Sequence, residues 1–394
     1  MLINFSSFLR LIPSHIFSGR PPVRGLRRPT ESTLTEFNFS TLTPTSLTSL
    51  DDGVNSFAFD LDLIITGFDK LFDSDDGWLG PLPGFNFIGF NFAEYLLKKR
   101  FKIYGIDNFD NYYSIIFKKR RINELKKYKN FYFEKIDITN KKKLAKFFNE
   151  KKFDYIFHFA AQAGVRYSLI NPKKYIRVNK EGFENITSNI VNSKILKKFF
   201  YASSSSVYGN SKLFPLKEKN LLFPTNTYSL SKKFNEDLSK IYCKFYGIKA
   251  VGIRFFTVYG EWGRPDMFYS KVFDSAYKNQ KLFVNNYGNH SRDFTYIKDV
   301  NLIMFKMLRS NKIPSNDIIN ICSNNPINIL KLVKIVEKNS KKIKIFKRKI
   351  QKADVLKTHG DNKKIHKYKL IKNFTSFEEG IKNTLMWYKK YNNF

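Results

Sequence analysis

Cysteine is nearly absent from this chain of 394 residues. Only Cys243 and Cys322 occur, too few for a disulfide scaffold and without the spacing of a zinc or CxxC motif. Histidine is scarce as well: five residues, far apart or without partners at ligand spacing, offer no metal site. No run of eighteen uncharged apolar residues occurs, which excludes a membrane-spanning helix. Acidic residues are in deficit, 34 Asp and Glu against 69 Lys and Arg. What remains, 42% hydrophobic and 26% charged, is a globular chain long enough for a large core. Its cysteine usage fits a reducing, cytoplasmic compartment.

The formal charge of +35 would attract any polyanion. Its pattern argues otherwise. The lysines come as scattered doublets, such as Lys98-Lys99, Lys126-Lys127 and Lys389-Lys390, and no finger, zipper or RNA-binding motif accompanies them. A solvated basic surface, with no specific nucleic-acid partner, is the expectation. Residues 1–69 lack lysine altogether and carry no acidic residue before Glu31. This Arg- and Ser-rich start has the composition of an organelle transit peptide, although Pro13, Pro21, Pro22 and Pro29 interrupt any helix. A disordered extension or a wrongly chosen start are the other readings.

Order begins near residue 86. Phe90, Ala93 and Leu97 share a helical face, and Lys98-Lys99-Arg100 follow at the end where the helix dipole favours cations. Strands are expected at 101–106, 131–133, 155–159, 199–202 and 250–256, with helices at 141–150, 173–195 and 229–246 between them. Such alternation means a doubly wound α/β fold with a parallel sheet, which binds ligands at the carboxyl ends of its strands. Those ends carry the polar residues. Asp107 closes one strand 18 residues after Gly89, where an acid accepts hydrogen bonds from ribose hydroxyls and favours NAD over its phosphorylated form. Asp137-Ile138 follows the next, suited to adenine, and Phe159-Ala160-Ala161 the next, small enough for close approach of a cofactor. Singly, each such acid often only caps a turn.

Further on, the run Ala202-Ser203-Ser204-Ser205-Ser206 places hydroxyls in a buried turn, costly unless they are used. Tyr228 and Lys232 are one helical turn apart, so phenol and ammonium share a face. A neighbouring cation lowers a tyrosine pKa towards that of a working base.

These segments together resemble the extended short-chain dehydrogenase/reductase family, within its nucleotide-sugar epimerases and dehydratases and closest to UDP-glucuronate 4-epimerases. Gly105–Tyr113, Ala160–Ser168, the serine turn, Arg254–Gly260, Trp262–Met267 and Arg292–Ile297 carry the resemblance, over residues 86–394. It implies a Rossmann-like domain over 61–260 that also receives 292–325, a smaller substrate-binding domain mainly over 261–394, and an unassigned, disordered or foreign extension over 1–60. It implies NAD as cofactor, a UDP-sugar as substrate and a homodimer. Tyr228 would be the base, with Lys232 and Ser204 beside it. Phe87, Ile88, Gly89, Asp107, Asn108, Asp137, Ile138, Phe159, Ala160, Ala161, Asn179 and Phe256 would line the cofactor. Arg264 and Arg292 would face the diphosphate, and Arg166 and Thr257 the sugar carboxylate. A dehydratase of the group would show Thr-Asp-Glu where this chain has Ser204-Ser205-Ser206. Another UDP-sugar such as UDP-glucose, and a catalytically silent homologue, are the alternatives.

The resemblance breaks at the cofactor's phosphates. The family's Thr-Gly-x-x-Gly-Phe-Ile-Gly keeps Phe87-Ile88-Gly89 here, but its two earlier glycines are Pro83 and Asn86. Glycines there allow a tight turn and backbone N–H contact with pyrophosphate, and proline has no N–H to give. Leu63-Ile64-Ile65-Thr66-Gly67 has the composition of the missing first strand, but would leave 19 residues, 68–86, where the family uses three.

Overall fold

The structure, a computed structural model, describes residues 86–394 apart from 113, 192, 352 and 353. The extension over 1–60, Leu63–Gly67 and Pro83 therefore lie outside the described residues. Asn86 caps the first helix: its side-chain oxygen accepts the Gly89 N–H at 2.8 Å. Helix α1 (Phe87–Lys98) buries Phe90, Ala93 and Leu97, the face its spacing predicts.

Strands and helices then alternate: β1 (Ile103–Asp107), α2 (Ile115–Lys126), β2 (Phe131–Lys135), α3 (Lys141–Glu150), β3 (Tyr155–His158), α4 (Gly182–Ile190), β4 (Lys198–Ser204), α5 (Thr227–Tyr246) and β5 (Ala250–Phe255). After these come β6 (Thr257–Tyr259), α6 (Phe268–Lys278), β7 (Leu282–Asn285), β8 (Ser291–Tyr296), α7 (Ile297–Arg309), β9 (Asp317–Ile321), β10 (Pro326–Asn328), α8 (Ile329–Glu337), β11 (Ile345–Arg348) and α9 (Phe377–Tyr391). The main sheet is parallel, in the order β3-β4-β5-β9. All six residues of β5 are buried, because strands flank it on both edges and side chains cover both faces. A second parallel pair, β1–β2, runs in register from Ile103 opposite Phe131. The later segments build two small sheets, β10-β8-β6 and β11-β7, with α8 packed between α6 and α9.

Strand and helix positions match the sequence expectations to within a few residues, with one exception. The helix expected over 173–195 is broken into Pro172–Tyr175, a π-helical turn over Ile176–Glu181, and α4. The widened turn carries buried Asn179, whose side chain reaches both the loop after β3 and helix α5. Among the described residues, no helix is long and apolar enough to cross a membrane, and no cluster of three or more ligating side chains forms a metal site.

Candidate active site

The carboxyl ends of β1, β2 and β3 converge, as parallel strands must. They enclose a small cavity of about 30 Å³ lined by Asp107, Asn108, Ile138, Ala160 and Ala161. Asp107 is buried, and its Oδ1 accepts the Phe109 N–H at 2.7 Å and the Lys118 ammonium at 3.1 Å. Lys118 is itself fully buried; burial pushes its pKa down to about 8 against the pull of Asp107. The acid expected to await a ribose is thus already paired on one oxygen. Asn108 donates to Asp137 Oδ2 at 3.0 Å, and Thr139 donates to Asp137 Oδ1 from both its N–H and its hydroxyl. Burial alone would raise the Asp137 pKa, but these hydrogen bonds hold it below the ordinary value. Ile138 leans on Gly182, where a Cβ would come within 2.5 Å of its Cδ1.

Other expected cofactor residues have different surroundings. Phe87 and Ile88 pack into the main core. Gly89 sits at the helix mouth, where a Cβ would stand 3.3 Å from both Asn86 Oδ1 and the Phe159 ring. Its N–H, which the resemblance would offer to a phosphate, is bound by Asn86 instead. Asn179 uses its side chain on Gln162 N (2.7 Å), Gln162 O (3.1 Å) and Ser231 Oγ (3.0 Å), so it fixes the post-β3 loop to α5. Phe256 is buried beside Tyr208 and Cys322. Thr257, half-buried, opens β6.

The serine turn and α5 meet at Tyr228. Ser204 ends β4, its hydroxyl accepts the Ser206 N–H at 3.2 Å, and it hydrogen-bonds the Tyr228 side chain. A 3₁₀ turn over Ser205–Tyr208 then ends at Gly209 with φ +58°, where a Cβ would collide with the Phe223 carbonyl oxygen at 1.7 Å. Helix α5 begins with a capping box between Asn226 and Ser229, which places Tyr228 in the first turn. Burial raises the Tyr228 pKa, opposed by the Ser204 hydrogen bond and the Arg264 charge. Among the described residues, the cation whose charge acts on Tyr228 is Arg264. Lys232 points into the protein, donating to the Ala202 carbonyl at 2.7 Å, and burial pushes its pKa down to about 8 against the pull of Glu236.

Beneath Lys232 lies a network that the sequence reading missed. Arg254 on β5 forks onto Glu236 of α5 at 2.8 and 2.7 Å, both side chains being buried. Glu236 also accepts from Ser203 at 2.5 Å, while Arg254 donates to Tyr208 at 2.8 Å. The signal was present: an arginine inside the apolar run 250–256 needs a buried acid, and Glu236 lies one helical turn beyond Lys232.

The three arginine candidates for substrate divide into groups. Arg264 forks onto Asp266. Arg166 is exposed and grips Asp354 at 3.2 and 2.7 Å, a partner that sequence spacing gives no means of finding. Arg292 donates to the Ser291 and Leu356 carbonyls; burial pushes its pKa down to about 10, eased by Asp354 and worsened by Arg166. The field around Arg292 is one that an anion would relieve.

The family model for GDP-mannose 4,6 dehydratase matches residues 84–384. An uncharacterised protein of Methanocaldococcus jannaschii is 39% identical over 307 residues, 77% of this chain and 93% of that protein. A UDP-glucuronate 4-epimerase of Thermodesulfobacterium geofontis is 37% identical over 307 residues, 77% of this chain and 94% of that protein. Among solved structures, the UDP-glucuronic acid 4-epimerase of Bacillus cereus, in complex with UDP-glucuronic acid and NAD, superposes with a TM-score of 0.73. It is 28% identical and is matched over 78% of this chain and 97% of its own. From its sequence, its parallel sheet and these relatives alike, the chain belongs to the GDP-mannose 4,6 dehydratase family of extended short-chain dehydrogenase/reductases.

Proposed function

We propose that this protein is a NAD-dependent 4-epimerase of UDP-sugars, acting on UDP-glucuronate to give UDP-galacturonate. The observation that carries the reading is the meeting of Tyr228 with Ser204 under the charge of Arg264, in a chain whose relatives include UDP-glucuronate 4-epimerases. Two features fit a dinucleotide. The buried Lys232 ammonium has the Ala202 carbonyl as its hydrogen-bond partner among the described residues, which leaves donors for ribose hydroxyls. Ala160 and Ala161 leave room at the strand ends, beside Asp107 and Asn108. Bound there, NAD would supply the reversible hydride acceptor that epimerisation at sugar carbon 4 requires.

The chain's own residues handle the proton and the charge. Tyr228 accepts the proton of the sugar 4-hydroxyl and gives it back, so it must start as phenolate. Ser204 holds the same oxygen, and its hydrogen bond favours the phenolate. Arg264 supplies the compensating charge. Neither Ser205 nor Ser206 is an acid, so water elimination has no proton donor at that turn. Arg292, Arg166 and His290 gather around the single carboxylate of Asp354, which suits a ligand that brings about three negative charges as diphosphate and uronate. Arg292 serves the diphosphate; Arg166 turns from Asp354 to the sugar carboxylate. The enzyme works as a homodimer.

The test is conversion of UDP-glucuronate and UDP-glucose by the purified full-length chain, with products separated by chromatography. Interconversion of the uronates, faster than of the neutral sugars and lost in Tyr228→Phe while UDP binding persists, is expected. Preference for UDP-glucose would reassign the substrate. Undiminished turnover in Tyr228→Phe would remove the catalytic assignment, and failure to bind NAD would make the chain a silent homologue.

A further inference from the structure

Uncompensated charge collects on the small sheet formed by β7 and β11. Residues 338–349 hold seven lysines and arginines and no acid. All of these cations are exposed, and none stands in an ion pair among the described residues. The acid just ahead of the run, Glu337, is turned to the backbone, where its Oε1 accepts the Ile343 N–H at 2.9 Å. The next acid along the chain, Asp354, is already held by Arg166 and Asn285. The field of the run is therefore left open to solvent.

The strand geometry sorts these side chains. β11 pairs with β7 in parallel, with Phe346 opposite Phe283. Leu282 and Val284 of β7 point into the core, so the residue between them, Phe283, points outwards and is 41% exposed. Phe346 shares that outer face, its ring 5.5 Å from that of Phe283. Alternation along β11 puts Lys344 and Arg348 on the same side, and the contacts agree. The Arg348 guanidinium lies 3.6 Å over the Phe283 ring and the Lys344 ammonium 5.5 Å over the Phe346 ring. Exposed Lys281 stands two residues before Phe283, and Ile350, 48% exposed, two residues after Arg348. Aromatic and aliphatic side chains thus emerge between cations on one short plane.

A lysine on an edge strand wards off pairing with other chains, but that task needs no exposed phenylalanine and no run of cations. A single-stranded nucleic acid would answer the charge, yet it stacks its bases on open ring faces. Here cations lie over both rings. The charged surface of a bilayer makes the opposite demand: cations to meet its phosphates, and small apolar groups to enter between the headgroups. We propose that the outer face of β7 and β11 docks this protein reversibly on anionic lipid bilayers. Lys281, Lys344 and Arg348 meet the headgroups, and Phe283, Phe346 and Ile350 insert between them. This goes beyond the proposed activity and does not depend on it.

Co-sedimentation of the purified full-length chain with vesicles tests the proposal at about 0.15 M salt, where exposed charges are screened beyond roughly 8 Å. The chain should sediment with phosphatidylcholine vesicles containing roughly one-third phosphatidylserine and stay in solution with pure phosphatidylcholine. Reversal of the patch charges, Lys281→Glu with Lys344→Glu and Arg348→Glu, should weaken binding at least about tenfold. A control of equal net charge, Lys141→Glu with Lys142→Glu and Lys143→Glu, changes exposed lysines at the start of α3 and should bind nearly as the wild type does. Equal loss in both variants would mean diffuse attraction by the whole basic surface and would overturn the proposal. Unchanged binding in the patch variant would overturn it too. Phe283→Ser with Phe346→Ser should lose the binding that survives at this salt; full retention would refute the insertion of the rings. Tighter, patch-dependent binding of a single-stranded RNA oligomer than of the vesicles would assign the face to nucleic acid instead. If the charge-reversed variant does not fold, Lys344→Gln with Arg348→Gln, which removes charge without reversing it, should still weaken binding several-fold.

Discussion

The last residue of β3 should make this protein acid-sensitive in a defined interval. His158 is 6% exposed, its Nε2 has no hydrogen-bond partner among the described residues, and its ring lies 5.5 Å from that of Phe183. Burial, helped by the Lys232 charge, pushes its pKa down to about 3. In the unfolded chain the same imidazole titrates near 6.5. The folded state therefore keeps it neutral where the unfolded state binds a proton. Its contribution to stability is complete above pH 6.5 and is lost as the pH falls from there towards 3. At pH 5 the loss amounts to about 2 kcal/mol, taking ~1.4 kcal/mol for each pH unit below 6.5. For a chain of this size that is a fall in melting temperature of roughly 2–3 °C. The experiment compares thermal unfolding of the wild type and His158→Phe at pH 7 and pH 5. The other titrating groups act equally on both proteins, so only the change in the gap between them counts. The gap should move by about 2 kcal/mol in favour of the variant at pH 5. An identical gap at both pH values would refute the burial argument.

Two further outcomes follow from the buried charges. Glu236→Gln leaves the Arg254 guanidinium buried without its carboxylate and should cost about 3–5 kcal/mol in urea unfolding, whereas the double change Glu236→Leu with Arg254→Met should recover most of that loss. A small effect of the single change would mean that water reaches the pair. Arg264→Met removes the charge that opposes burial at Tyr228, so the limb of the pH–rate profile where activity rises with pH should move to higher pH, and Arg264→Lys should restore it. An unmoved limb would separate Arg264 from the base.

What sequence could reveal tracks the range of the interactions. The strands and helices follow local periodicity, and the pairing of Tyr228 with its turn follows from one helical repeat and one run of serines. Asp107, Asp137 and Ala160 were singled out because parallel strands put their carboxyl ends at one edge, where the structure places them. The misses are long-range partnerships. Nothing in the spacing couples Arg166 to Asp354, 188 residues away. Nothing in the spacing sets Lys118 apart from the other lysines, yet it lies fully buried against Asp107. Lys232 shares a helix face with Tyr228, but the Ala202 carbonyl that its ammonium bonds could not be read from the spacing. Asn86 read as a damaged phosphate glycine, although locally it is a good helix cap.

The position of β9 in the main sheet has a consequence for how the molecule is made. β5 is complete at Phe255, but the neighbour that covers its second edge begins only at Asp317, and residues 256–316 intervene. During synthesis the sheet must wait with an apolar edge uncovered while the whole excursion through β6, α6, β7, β8 and α7 is translated. Pairing across so long a separation is slow and leaves that edge open to wrong partners. Folding yield should therefore respond to temperature and to chaperone supply during this interval. A chain that stalls before residue 321 should be captured as an aggregate or a chaperone complex and not as a smaller folded domain.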